Sequence, residues 1–339
     1  MIRAVAPGRV NLIGDHTDYM GGLALPMAID LSTVVEGTRG GRRISLTSGE
    51  VGGTAHIDLD HLLASHGDAA DAANEPEWRR YVAAVASLVE PSEGFTGRIS
   101  TTLPVGGGLS SSAALEIALA LALGAAHGED PRPLAELCRT AEHRATGVPT
   151  GIMDQLCILS GREGHAVLLD CHSLTVDHVP VPDEVDIVVD FIAPRTLEGS
   201  AYAERVAECA TAETRIGPLR TASLDDLHVI QDPVVRARAR HVIGENERVR
   251  LFAAAMRSGD WVGAGQAMTQ SHASLAVDYG VSTDAMDAAV AAAVARPGVF
   301  GARMTGGGFG GCIVVLCARG ADVPGRRVRP SGAARVTVD

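Results

Sequence analysis

Two polar loops and one isolated carboxylate hold most of the groups in this chain that could do chemistry. The first loop, LPVGGGLSSSAA at residues 103–114, sets three glycines against three serines and runs straight into the apolar helix formers LEIALALALGAA. Glycine lets backbone approach a ligand closely, and a helix start presents unpaired N–H groups at a positive dipole end, so phosphate oxygens would be stabilised there. Such a nest of amides needs no cationic side chain. That matters here, because all 29 residues in the Lys+Arg count are arginine. Without lysine, a GxxxxGK[ST] nucleotide loop and lysine Schiff-base chemistry are both excluded. The competing reading is a glycine-rich turn that caps an ordinary core helix.

The second loop, GDHTDYMGG, lies between the apolar segments VNLI and LALPMAI. It crowds Asp15, His16, Asp18 and Tyr19 together, with Arg9 on the strand that enters it. It reads either as a binding loop for a ligand rich in hydroxyls or as an Asx turn held by its own carboxylates. Asp154, in VPTGIMDQLCILSG, has small and apolar neighbours. A carboxylate there is desolvated unless a cation lies close; the alternative is an exposed helix cap after Gly151. Glu142 and His143 sit on the helix PLAELCRTAEHRATG, and a last glycine cluster, MTGGGFGGC, again implies close backbone approach.

Elements that must position these groups follow from the pattern. VNLI and LALPMAI predict a strand–loop–strand unit; STVVEG, RISLTS, TAHIDL, HAVLLDC and CIVVLC predict further strands, with two more in SLTVDHVPVPDEVDIVVDF. Helices are predicted near 78–88, over 113–126, in the segment after Pro131, and over 202–216, 232–258, 260–277 and 283–295. The prolines at 180 and 182 mark a boundary, giving domains over 1–180 and 181–339. At 339 residues, 46% hydrophobic and 21% charged, the chain is long enough for two cores and has ordinary globular usage. A net charge of −12 without a dense arginine stripe argues against nucleic acid and anionic membranes as partners. The N-terminus shows no signal-peptide pattern, and six cysteines without CxxC or zinc spacing read as structural thiols in a reducing cytoplasm.

The motifs PGRVNLIGDHTDY, PVGGGLSSSAA, GIMDQ and MTGGGFGGC stand in this order at domain-scale spacing. Together they resemble the galactokinase branch of the GHMP small-molecule kinases over nearly the whole chain. The resemblance implies an α+β, two-lobed fold, with an N-terminal lobe like domain 2 of ribosomal protein S5 and a ferredoxin-like C-terminal lobe. It implies that Gly106, Gly107, Gly108, Leu109, Ser110, Ser111 and Ser112 wrap the phosphates of ATP, and that Ser112 and Glu142 hold Mg²⁺. Asp154 is implied as the base toward a sugar's anomeric hydroxyl, with Arg9 beside it stabilising the transferred phosphoryl group. Asp15, His16, Thr17, Asp18 and Tyr202 are implied around the sugar hydroxyls. The expected partners are therefore a small sugar and ATP, bound by a monomer or small homo-oligomer, and the product is a sugar 1-phosphate.

Some features depart from that family pattern. Position 15 is aspartate, one methylene shorter than the glutamate usual there, and Arg195 follows Pro194 where an arginine–histidine pair is usual. Both changes point toward a galacto-configured sugar enlarged beyond C6 and already phosphorylated, such as the octose 8-phosphate of lincosamide antibiotic biosynthesis, with Arg195 on the added anion. The plain alternative is galactose itself. A further alternative from another class is a sugar and ATP sensor without catalysis, although Ser111, Ser112, Ala113 and Asp154 are all in place. The chain starts directly at the first motif, without the leader helix of most relatives. After CIVVLC it also lacks the longer helix expected before the last strand.

Overall fold

The computed structural model describes residues 1–64, 76–194 and 200–339. Strand β1 (Ile2–Ile13) pairs antiparallel with the long β2 (Leu23–Arg39), from Ile2 opposite Gly37 to Ile13 opposite Leu25. The polar loop 14–22 is their connection. Strands β3 (Arg43–Ser48) and β4 (Thr54–Asp58), helices α1 (Leu59–Ala64) and α2 (Arg79–Val89), and β5 (Phe95–Thr101) follow. β5 returns beside β2, giving the order β12-β1-β2-β5-β3-β4 once the last strand is included.

Two helices then pack on this sheet, α3 (Ser111–Leu123) and α5 (Met153–Ser160), and α4 (Arg132–Thr146) packs against them and against α2. From Ala113 to Leu123 every residue of α3 except the half-buried Leu115 is buried, so this helix is apolar around its whole circumference and lies in the core. Glu116 is its only charged residue. The hairpin β6 (His165–Asp170) and β7 (Thr175–Pro180) joins the start of β2.

The second lobe begins with β8 (Val185–Ala193) and continues through α6 (Ser200–Ile216), α7 (Pro233–Ser258), α8 (Trp261–Ser274) and α9 (Asp284–Val294). β9 (Val299–Thr305), β10 (Gly311–Ala318) and β11 (Arg326–Val328) complete an antiparallel sheet ordered β11-β8-β10-β9. Asp232 caps α7, its carboxylate accepting from the N–H groups of Val234 and Val235 at 2.8 and 3.2 Å. The helix expected over 260–277 is α8, which loosens into a π-turn at Leu275–Tyr279. Such wide turns tend to mark functional sites, and this one brings Tyr279 under the polar loop.

Sequence patterning missed β5, β9, β11 and β12 because they are short or interrupted by glycine. One of them corrects the division of the chain. The closing strand β12 (Arg335–Val338) pairs antiparallel with β1, Ile2 facing Val338, so the end of the 181–339 segment lies in the first sheet. Residues 319–325 form a turn leading directly to β11, without the longer helix expected there.

Candidate active site

Arg9 is the residue on which the two loops meet. A register shift in the β1–β2 pairing at Gly8 turns the strand, and a Cβ on Gly8 would come within 2.7 Å of the Leu109 carbonyl oxygen. The glycine-rich loop therefore lies directly on β1, where the Arg9 N–H donates to Leu109 O at 3.2 Å. The Arg9 guanidinium, buried at 5% exposure, donates through Nη1 to Gly108 O at 2.7 Å. Its Nε and Nη2 grip both oxygens of Asp154 at 2.6 and 2.8 Å. Ser110, held at φ +58°, also donates its hydroxyl to Asp154 Oδ2. Counting lone pairs, Oδ2 has both engaged and Oδ1 has one left. Asp154 is thus neither a solvated cap nor an unpaired desolvated acid.

The loop 14–22 is fixed from below. Thr17, expected on the sugar, is fully buried and donates its hydroxyl to Gly14 O and Leu23 O at 2.9 and 2.7 Å, so it ties the loop together. Asp15 forms an ion pair with the fully buried Arg303 of β9 and accepts from Gly306 N–H at 3.2 Å. Burial raises the Asp15 carboxyl's pKa, against the pull of Arg303. Glu245 of α7 accepts from Gly14 N–H at 3.0 Å and from Ser271, and His241 Nε2 lies 3.1 Å from Asp15 O. Burial keeps His241 neutral, with a pKa of about 4. His16, at φ +64°, packs against Tyr202 and Tyr279, with ring centroids at 5.5 and 4.7 Å. Its Nδ1 is 3.1 Å from the Tyr19 hydroxyl, which in turn meets that of Tyr279.

Asp18 lies over Gly151, where a Cβ would come within 1.8 Å of its Oδ2. That contact explains the glycine before IMDQ. Burial, reinforced by the nearby Asp154 charge, pushes the pKa of Asp18 up to about 7. The folded protein therefore holds a proton that an unfolded chain, with an ordinary aspartate, would lose near pH 4. Stability from this group is present in acid and is lost as pH rises toward 7. Asp18→Asn is expected to abolish that loss, so that its melting temperature exceeds the parent's at pH 8 but not at pH 4. At pH 8, where this carboxyl carries its charge, the KM for sugar should rise at least about tenfold from the lost acceptor. Calorimetry at the two pH values, with steady-state kinetics, checks both halves; a parent Tm advantage at pH 8 would contradict the assignment.

Glu142 of α4 is 8% exposed and has only neutral donors. Ser112 donates to its Oε1 at 3.0 Å, while Thr150 and Gln155 donate to Oε2 at 2.9 and 3.1 Å. Burial and the Asp154 charge raise the Glu142 pKa. A carboxylate with no cation partner among the described residues, facing a serine hydroxyl at the phosphate loop, fits a hard divalent ion that takes its remaining ligands from phosphate and water. Among the described residues no group of three or more His, Cys, Asp or Glu could hold a metal unaided.

One cavity of about 470 Å³ opens between the two loops and reaches the Glu142 carboxylate. Arg9, Asp15, His16, Asp18, Glu142, Asp154 and Tyr202 line it, as do Gly106, Gly108, Ser110, Ser111 and Ser112. Gly107 and Leu109, expected on the phosphates, are not on its wall; the Leu109 side chain is in the core, and its carbonyl receives Arg9. Arg195 lies outside the described residues. Sequence reasoning missed Glu245 and His241, which sit in a helix that read as a packing surface, and Arg303, which sits in the unforeseen strand β9. It also passed over Trp78, Tyr81, Ile99, Val105 and Leu115, which give the cavity an apolar wall. Gly306 to Phe309 line it too, as the last glycine cluster implied.

The galactokinase galactose-binding signature matches residues 2–39, the GHMP kinases N terminal domain residues 80–162, and the GHMP kinases C terminal domain residues 252–324. The galactokinase of Homo sapiens is 41% identical over 323 residues, covering 92% of this chain and 82% of that protein. The galactokinase of Mycobacterium bovis is 39% identical over 340 residues, covering 96% and 89%. Among solved structures, Lactococcus lactis galactokinase complexed with galactose superposes with a TM-score of 0.88 at 30% identity, covering 98% of this chain and 95% of that one. With the signature over the polar loop and both kinase domains matched, the chain belongs to the galactokinase family of GHMP kinases.

Proposed function

We propose that this protein transfers the γ-phosphoryl group of ATP to the anomeric C1 hydroxyl of galactose, giving galactose 1-phosphate, ADP and a proton. The observation that carries the reading is the Arg9–Asp154 pair, which places a carboxylate with one free lone pair between the phosphate loop and the polar loop. Asp154 Oδ1 takes the proton of the C1 hydroxyl as its oxygen attacks phosphorus in line. Arg9 and the amides of the loop stabilise charge on the phosphoryl oxygens. Asp15, His16, Asp18 and Tyr202 orient the sugar. Trp78, Tyr81 and their apolar neighbours take the adenine base. Ser112 and Glu142 would hold Mg²⁺, which would supply positive charge against the phosphates of ATP.

The chain is a sugar kinase, which sets aside the sensor alternative. The enlarged-substrate reading keeps only Asp15 as described support, because Arg195 lies outside the described residues. Coupled ADP release with ATP and Mg²⁺ separates the possibilities. Galactose is expected to turn over at about 1–100 s⁻¹ and to be preferred over galactosamine, arabinose and galactose 6-phosphate. Rejection of galactose with turnover of a longer galacto-configured sugar phosphate would move the protein to specialised metabolism. No helix among the described residues is long and apolar enough to cross a membrane, and the six cysteines are buried thiols, which supports a cytoplasmic site of action.

A further inference from the structure

Tyr279 is fully buried and takes no part in the chemistry above, yet it is where loop 14–22 meets the second lobe. Its ring packs against two imidazoles, His16 of the loop and His241 of α7, with centroids at 4.7 and 4.6 Å. Its hydroxyl meets that of Tyr19 and lies 3.2 Å from the thiol of Cys209, on the same helix α6 that carries Tyr202. The Tyr19 hydroxyl is in turn 3.1 Å from His16 Nδ1. The loop therefore rests on Tyr279 through both the His16 ring and the Tyr19 hydroxyl. The backbone that presents this tyrosine is the π-turn at the end of α8, and the last carbonyls of a helix lack partners within it. Here two arginines supply donors: Arg238 of α7 to Asp278 O at 2.6 Å and Arg205 of α6 to Tyr279 O at 3.3 Å, both ion-paired with Glu208. Just beyond the turn, Val281 O accepts from Phe309 N–H at 2.8 Å, so the last glycine cluster hangs on the same segment.

A tyrosine held at ring, hydroxyl and backbone is a rigid support. What rests on it is His16 at φ +64°, a conformation that a residue with a side chain keeps only where its surroundings enforce it. We propose that Tyr279 is a positioning residue for the sugar: its ring supports the His16 imidazole and its hydroxyl holds Tyr19, which together fix how His16 meets the substrate. The π-turn is then the device that brings a side chain of the second lobe under the loop of the first. Were Tyr279 mere filling of the core, phenylalanine would serve as well, since it occupies nearly the same space. The inference rests on the reading of loop 14–22 as the loop that binds the sugar.

The test is steady-state kinetics of the full-length protein at pH 8, with galactose and ATP varied separately. Tyr279→Phe is expected to raise the galactose KM about five- to tenfold, the scale of one buried hydrogen bond lost. The ATP KM should stay within about twofold and kcat within about threefold, because the lost contact serves sugar binding and not the reacting atoms. A defect spread through the lobe would raise both KM values and would count against the proposal. Tyr19→Phe cuts the same contact from the half-buried side and should raise the galactose KM at least as much. The double variant should be no worse than Tyr19→Phe alone, since the two changes break one contact; effects that multiply would overturn the proposal. Tyr19→Phe also carries the test if Tyr279→Phe folds poorly. Cys209→Ala removes the other partner of the Tyr279 hydroxyl while leaving Tyr19 in place, and should keep the galactose KM within about twofold. If it raises that KM as much as Tyr279→Phe does, any loosening beneath the loop has the same effect and the proposal is overturned. Asp18→Asn, measured alongside, separates the two layers. If it leaves the galactose KM unchanged, loop 14–22 does not bind the sugar, and the inference falls with that reading. If it raises the KM while Tyr279→Phe does not, only the role of Tyr279 fails.

Discussion

Asp154→Asn is expected to lower kcat about 10³-fold or more, the scale of losing a positioned general base together with the charge that orients its partner. The asparagine carbonyl can keep one hydrogen bond from Arg9, so the shape of the site survives. Its amide cannot accept the C1 proton, and its –NH₂ points at a donor, whichever way it is turned. Galactose and nucleotide binding should persist within a few-fold, because neither the polar loop nor the glycine-rich loop hangs on Asp154 alone. Stability should also fall, since the Arg9 guanidinium would remain buried without a counter-charge, a loss of about 3 kcal/mol at most for a pair whose carboxylate is partly hydrated. Steady-state kinetics with calorimetric binding checks this. Turnover within tenfold of the parent would remove Asp154 as the base.

What could be read in the sequence was whatever depends on residue type within one loop. GGGLSSS marked the phosphate loop, GDHTDY the polar loop and GIMDQ the carboxylate, because glycine spacing and clustered polar groups are local signals. Roles that depend on partners far along the chain were not legible. Leu109 sits inside the right motif, yet it gives its carbonyl to Arg9 on β1; Thr17 has local partners, but residue type alone did not show that its hydroxyl turns inward to staple the loop. Ser110 belongs to the phosphate loop by sequence, and its hydroxyl serves Asp154 instead. Arg303, which fixes Asp15 from a separation of 288 residues, lies in β9, a glycine-interrupted strand that the sequence pattern did not reveal. The closing strand was not located either: RVTV is β-branched but only four residues long, and its place is set by the open edge of β1.

Arg9→Met is expected to be nearly as damaging as loss of the base, lowering kcat about 10²–10³-fold through the missing charge on the phosphoryl group. It should also raise the KM for ATP, because Nη1 no longer ties down Gly108 O and one anchor of the glycine-rich loop is gone. Arg9→Lys separates charge from shape. Lysine keeps the charge but is a point donor on a flexible stem, and it cannot span both oxygens of Asp154 while also reaching the loop carbonyl. It should therefore recover part of kcat and little of the ATP KM. The stability pattern supplies an independent check. Arg9→Met strands the Asp154 carboxylate on Ser110 alone, and Asp154→Asn strands the guanidinium. The double variant strands neither, so it should melt above the Arg9→Met single variant. If the two destabilisations simply add, the fork between Arg9 and Asp154 is not the joint on which the site is built.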